Sequence, residues 1–325
     1  MHADSVKRKN RVSYFRKKAN KYERTNIMTK LVECIPNFSE GINQEIIEGL
    51  ADIVRSSPSC TLLDYSSDAS HNRSVFTFVG DVEGIKTCAV NLAKYACSNI
   101  DLSKHSGEHP RMGAVDVIPF VPVKNATMAE CIEISKEVAA KIAEETGIPI
   151  FLYEESASKE TRRNLAAIRK GEFEGMAEKM TKDVWKPDFG PSSPHSTAGV
   201  TAVGARMPLI AFNVNLSTSD INIANNIAKI VRGSSGGFKH VKGIGIMLED
   251  RNIAQVSMNM VNYEGTPLYR VVELIRAEAK RYGVSVTGTE LIGLAPAKAL
   301  IDSAEYYLQI ENFDYGKQVL ENHLL

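Results

Sequence analysis

Apolar positions along this chain recur with two spacings, every second residue and every third to fourth, and these alternate from one end to the other. Over 74–80, Val75, Thr77 and Val79 oppose Phe76 and Phe78, the alternation of a half-buried strand. Over 82–98, Ile85, Cys88, Ala89, Leu92 and Ala96 fall on one face of a helix. The first half further predicts strands at 31–36, 60–65, 115–120 and 149–153 and helices at 44–55 and 127–145. Ser39 or Asn43 is suited to cap the first helix, and charged helical segments lie near 158–169 and 173–181. The second half repeats the order. Strands are predicted at 209–216, 243–249, 253–261 and 284–291, and a helix over 219–231 with Ser217 or Ser219 as its cap. The helix over 267–282 carries a stripe of Leu268, Val271, Val272, Ile275 and Ala279 and is ended by Gly283. Pro296 starts a final helix.

Each half thus reads strand–helix–strand–strand–helix–strand, the split βαβ order. The fold expected is α+β: two ferredoxin-like α/β-sandwich subdomains at 31–207 and 208–325, each an antiparallel sheet with helices on one face. Their open sheet faces would meet across a ligand cleft. The boundary is expected in the Pro-, Ser- and Gly-rich segment 186–199 or shortly after it.

Charge changes the picture at one end only. Residues 1–30 hold ten Lys/Arg against two Asp/Glu, leaving 29 basic and 37 acidic residues in the remainder. The body is therefore acidic, which argues against a nucleic-acid partner, and an anionic ligand must meet cations gathered locally. The basic extension 1–30 lacks a sustained apolar period and is expected to be disordered. It would suit a nucleic-acid or membrane surface, but Met28, just before the first strand, favours an over-extended start. No apolar run approaches the roughly 18 residues of a membrane span, and no secretory signal is visible. The five cysteines (Cys34, Cys60, Cys88, Cys97, Cys131) are odd in number and lack a CxxC, as expected of reduced thiols in a cytoplasmic protein.

Chemistry-bearing side chains concentrate in a few loops. Residues 101–114 place His105, His109, Glu108, Lys104 and Arg111 between a helix and an apolar strand. Pro110 biases His109 away from helical angles, and Gly107 and Gly113 permit sharp turns. The stretch reads either as a polar surface loop or as an imidazole held at a strand's mouth for proton transfer. The His105–His109 spacing resembles a helical metal pair, but Gly107 and Pro110 oppose a helix there, so no metal is expected. The segment 186–199 reads as a linker or as a structured loop offering N–H groups, hydroxyls and His195 to a planar heterocycle, with Arg206 downstream. On strand 253–261, Gln255, Ser257 and Asn259 share one side, facing either solvent or the cleft, and Asn213 and Asn215 make a weaker copy. Asn37 and Arg73 sit in two early loops. No P-loop, HExxH, GxSxG elbow or dinucleotide fingerprint is present.

Several strings together resemble the glutamate formimidoyltransferase family. They are Leu31-Val32-Glu33-Cys34-Ile35-Pro36-Asn37-Phe38-Ser39-Glu40-Gly41, His71-Asn72-Arg73-Ser74-Val75-Phe76-Thr77-Phe78-Val79-Gly80 and the His109-Pro110-Arg111-Met112-Gly113-Ala114 core. Pro187-Asp188-Phe189-Gly190-Pro191, Val203-Gly204-Ala205-Arg206, Ala211-Phe212-Asn213-Val214-Asn215 and Ala254-Gln255-Val256-Ser257 extend the likeness over 31–310. The resemblance implies His109 as catalytic residue and a folate-contacting loop of Gly190, Pro191, Ser192, Ser193, Pro194, His195, Ser196, Thr197, Ala198 and Gly199. From Pro194 onward that loop looks like the bacterial form.

The implied reaction moves a formimidoyl group from N-formimidoyl-L-glutamate to tetrahydrofolate as co-substrate, with no metal. Asn37, Arg73, Arg111, Arg206, Gln255, Ser257 and Asn259 are the substrate-binding candidates. The vertebrate enzymes continue into a cyclodeaminase domain, which this chain is expected to lack. A homodimer in the cytoplasm with small-molecule partners is expected. The alternatives are a formyl- or glycine formimidoyl-transferase using folate, or a non-catalytic folate-binding protein.

Overall fold

The computed structural model describes residues 30–323, so the basic extension, apart from Lys30, lies outside the described residues. The chain divides into two units, one ending at Arg206 and the other beginning at Met207.

The first unit runs β1 (Leu31–Cys34), β2 (Asn37–Phe38), α1 (Gln44–Ser56), β3 (Cys60–Asp68), β4 (Arg73–Gly80) and α2 (Val82–Asn99). It continues through β5 (Val115–Lys124), α3 (Met128–Thr146), β6 (Ile150–Glu154), α4 (Leu165–Arg169), α5 (Glu172–Lys179) and β7 (Thr201–Ala205). Local chemistry sets the helix starts: the Asn43 side chain caps α1, Asp81 caps α2, and Thr127 forms a capping box with Glu130 on α3. The stripe expected on α2 is buried, with Val90 and Ala93 added to it.

Strands β5, β1, β4 and β3 lie side by side and antiparallel, the neighbour order of a split βαβ unit. The expectation of a purely antiparallel sheet with helices on one face is corrected at the other end. Here β7 pairs in parallel with both β5 and β6, making a mixed sheet of seven strands. Alternate residues of these strands supply two cores. Ile150, Leu152 and Val203 join the main core with α1, α2 and α3, whereas Phe151, Tyr153 and Ala202 pack on the opposite face against Ile168, Met176 and Met180. The segment 186–199 is therefore not a linker between units, because the chain returns from it into the first sheet.

The second unit comprises β8 (Ile210–Leu216), α6 (Ile221–Val231), β9 (Val241–Leu248), β10 (Ile253–Met260), α7 (Leu268–Arg281), β11 (Val286–Ile292), α8 (Ala297–Leu308) and α9 (Tyr315–Gln318). Its four strands are ordered β11-β8-β10-β9 and all antiparallel. Asp220, not Ser217 or Ser219, caps α6. Leu268, Val271, Val272, Ile275 and Ala279 are all buried against the sheet, as the stripe on α7 requires. All five cysteines are free thiols. No helix among the described residues is long and apolar enough to cross a membrane.

Candidate functional site

The edge of the first sheet where β5 and β7 begin gathers most of the candidate residues. Two glycines make this possible. Gly113 and Gly199 pair as neighbouring backbones, with Val200 N–H donating to Met112 O at 3.0 Å. A Cβ on Gly113 would stand 2.0 Å from Val200 O, and one on Gly199 2.2 Å from Met112 O. Thr197 O and Ala198 O accept from the N–H groups of Leu102 and Ala114 at 2.8 and 3.0 Å. The loop 190–199 is thereby stitched along the segment that carries His109.

The base of that loop is fixed by an acid. Asp188 Oδ2 accepts from Leu152 N–H at 2.8 Å and from Arg162 Nη1 at 2.9 Å, and its Oδ1 accepts from Ser158 Oγ. Arg162 is fully buried, and its Nε and Nη2 donate to Val184 O and Lys186 O. Gly190, Pro191, Ser192, Ser193 and Ser196 are exposed, Pro194, His195 and Thr197 half-buried, and Ala198 and Gly199 buried. His195 Nδ1 accepts from the N–H groups of Thr197 and Ala198 at 3.3 and 3.1 Å, so in the neutral ring the proton sits on Nε2.

A second set of contacts pins the His109 loop. Asn72, in a left-handed conformation at φ 48°, accepts from Gly41 N–H and donates to Ser106 O, both at 2.9 Å. Its own carbonyl takes His105 Nε2–H at 2.9 Å, and Glu108 N–H donates to Ser70 O at 3.1 Å. Because Arg111 Nε donates to His105 Nδ1 at 3.2 Å, the His105 ring is held neutral with its proton on Nε2. Burial, together with the Arg111 charge, lowers the His105 value below its ordinary 6.5.

That shift has a stability consequence. The unfolded chain takes up the His105 proton first as pH falls below about 6.5, so the contribution of the neutral ring is full above that value and lost as pH drops through the lower folded value. Urea midpoints should therefore fall more between pH 7 and pH 5 in the parent than in His105→Gln. Equal falls in the two proteins would disprove the linkage.

Arg111 is buried and gives all five of its donors to the protein. Besides His105 Nδ1, it bonds His105 O at 3.2 Å, Glu172 at 3.3 Å, and both carboxylate oxygens of Glu174 at 2.9 and 2.7 Å. With its N–H groups so engaged, Arg111 clamps the loop to α5 in this structure.

His109 is 7% exposed. Its Nε2 lies 3.6 Å from Asp116 Oδ2, too far for a hydrogen bond, and this buried nitrogen has no partner among the described residues. A buried polar atom left in that condition costs about 1–3 kcal/mol. Asp116, at the start of β5, is completely buried. Its Oδ1 accepts from Met112 N–H at 2.9 Å, and its Oδ2 from Arg169 Nε at 2.8 Å and from Arg169 Nη2. Burial alone would push this carboxyl up. The Arg169 guanidinium, His109 and the Met112 N–H outweigh it and hold the group below the usual carboxylate range.

Arg73 stands at the start of β4, on the same edge of the sheet. Burial and the nearby Arg169 lower its value, while Asp116 and Asp68 oppose this. Among the described residues its guanidinium has no ion pair or hydrogen bond. Asn37 lies between Val75 and Val117 in the sheet, and its amide donates to Ile35 O at 3.1 Å.

Arg206 is not brought to His109. It follows β7, a strand of 5 residues, and its N–H donates to Phe120 O, roughly 16 Å along the sheet at about 3.3 Å per residue. Its neighbours are Glu33 and Tyr153. Gln255, Ser257 and Asn259 belong to the second unit. Gln255 Nε2 bonds Asn215 Oδ1 at 2.8 Å and Glu290 Oε2 at 3.0 Å, so it is committed to a network within its own sheet, while Ser257 is half-buried and Asn259 exposed.

Sequence reasoning missed Asp116, Arg169, Glu172 and Glu174. Asp116 had a signal, since an acid inside the apolar run 115–120 must be paired if the strand is buried. The others sit in a charged helical segment that gives no sign of which side chains turn inward.

Residues 31–206 match the formiminotransferase domain, N-terminal subdomain, and residues 211–322 the formiminotransferase domain. The chain belongs to the formiminotransferase family. It is 67% identical over 298 residues to the glutamate formimidoyltransferase of Streptococcus pyogenes serotype M1, covering 92% of this chain and 100% of that protein. Its identity to the glutamate formimidoyltransferase of Thermoplasma acidophilum is 45% over 296 residues, covering 90% and 97%. The formimidoyltransferase-cyclodeaminase of Gallus gallus is 48% identical over 289 residues, 87% of this chain but only 53% of that longer protein.

Proposed function

We propose that the chain transfers the formimidoyl group of N-formimidoyl-L-glutamate to tetrahydrofolate, giving 5-formimidoyltetrahydrofolate and L-glutamate, in histidine degradation and one-carbon metabolism. The observation that carries this reading is the enclosed His109 ring on the edge where Arg73 and the loop 190–199 converge. Family membership supports it. His109 takes the proton from nitrogen 5 of the pterin as that atom bonds the amidine carbon, then returns it to the glutamate nitrogen as the old C–N bond breaks. An amide anion is a very poor leaving group, so the second transfer is as necessary as the first. No covalent bond to the protein is required, and holding both substrates together lowers the barrier further. The loop 190–199 is assigned to the folate and Arg73 to a substrate carboxylate. Subdomains at 31–207 and 208–325, a homodimer and a cytoplasmic location complete the proposal.

A spectrophotometric assay with formimidoylglutamate and tetrahydrofolate tests it, with N-formylglutamate and formimidoylglycine as competing donors. Faster turnover with either competitor, or tight folate binding without turnover, would overturn it. Arg73→Gln should raise the KM for formimidoylglutamate about tenfold to a hundredfold, the equivalent of the roughly 1.5–3 kcal/mol carried by a hydrogen bond to a charged group. An unchanged KM would remove Arg73 from the site.

A further inference from the structure

We propose that Asp116 and Arg169 are opposed positioning residues for His109: the carboxylate draws a proton onto the imidazole, and the guanidinium limits how strongly it does so. This rests on the reading of His109 as the proton carrier.

The geometry is specific. Asp116 Oδ1 is committed to Met112 N–H, so only Oδ2 faces the ring. That oxygen already accepts two N–H groups from Arg169, which compete with the ring for it. His109 Nε2 consequently stands at 3.6 Å, sealed and without a partner among the described residues. A charged N–H to carboxylate bond forms at about 2.7–2.9 Å, so a movement of less than about 1 Å would close it. Protonation supplies the force: a proton taken up at Nδ1 charges the ring and pulls the Nε2–H, already present in the neutral ring, toward Oδ2, and the pull weakens when Nδ1 gives its proton away. The other ring nitrogen, Nδ1, is then the one that exchanges protons with substrate.

The surrounding charges make Asp116 decisive. His105 and Arg111 approach from the ring's own loop, Arg73 from β4 and Arg169 from α4, while Glu40, Glu172 and Glu174 act through His105 and Arg111. Among the described residues Asp116 is the one carboxylate at ion-pair distance from the ring.

The two residues therefore predict shifts of opposite sign. In Asp116→Asn the imidazole should titrate at lower pH than in the parent, and in Arg169→Gln at higher pH, read by NMR of the ring protons without substrate. The acid limb of kcat/KM should move the same two ways. In Asp116→Asn kcat should also fall about tenfold or more, a part of the ~10²–10⁴ that acid–base help contributes. Arg169→Lys, which keeps the charge, should return both readouts toward the parent.

A purely structural role would move both single variants in one direction or neither, and either result overturns the proposal. If Asp116→Asn does not fold, Arg169→Gln against Arg169→Lys decides, and identical titrations in those two reject it. Because the NMR titration needs no turnover, it stands or falls independently of the assigned reaction.

Discussion

Replacing His109 with Asn should lower kcat by about 10²–10⁴ while folate affinity stays within a few-fold of the parent. The ring does not belong to the loop 190–199 assigned to the folate, so its removal takes away proton transfer and leaves that surface in place. The substituted amide can still hydrogen-bond, and the loop keeps its Asn72, Glu108 and Arg111 contacts, so the variant should fold. Single-turnover kinetics beside a folate titration separates the two quantities. Undiminished turnover would end the catalytic assignment, and with it the reading of this edge as the reactive one.

Gly199→Ala should have the second-largest effect, on stability and activity together. Its φ of +66° is left-handed, which costs an L-residue about 1–2 kcal/mol. The new methyl would also meet Met112 O at 2.2 Å, and neither backbone can retreat without breaking the Val200–Met112 bond. Overpacking of this sort costs about 1–3 kcal/mol, so a total of roughly 2–5 kcal/mol is expected from urea melts. Since the displaced backbone is the seam between the His109 loop and the loop 190–199, kcat/KM should drop even in protein that remains folded. A variant as stable and active as the parent would show that the two loops need no close approach.

The sequence disclosed the split βαβ cores because their strands and helices are long enough for periodicity to register. The stripe on α7 and the alternation on β4 are the clearest cases. Strand β7 escaped notice for a physical reason: Thr201-Ala202-Val203-Gly204-Ala205 is short, small and buried on both faces, so it has no alternation to read. His109 and the neighbouring loop were legible as residue types and as family strings. Their tethering was not, because it runs through backbone pairs such as Gly113 with Gly199 that no side-chain pattern encodes. Arg111 and Arg206 illustrate the same limit: a cation beside a motif has no visible partner until the fold supplies one.

The strand order has a consequence for the growing chain. Because β7 lies between β5 and β6, the earlier strand β6 has only the single bridge of Ile150 to Phe189, and no ladder partner, until residues 201–205 have been made. During synthesis the nascent sheet must wait across the whole 155–200 stretch with an unsatisfied border at β5. The rim that carries His109, which exists only once Gly199 seats against Gly113, is thus among the last parts of its unit to be assembled, and fragments ending before residue 205 should be inert and prone to self-association.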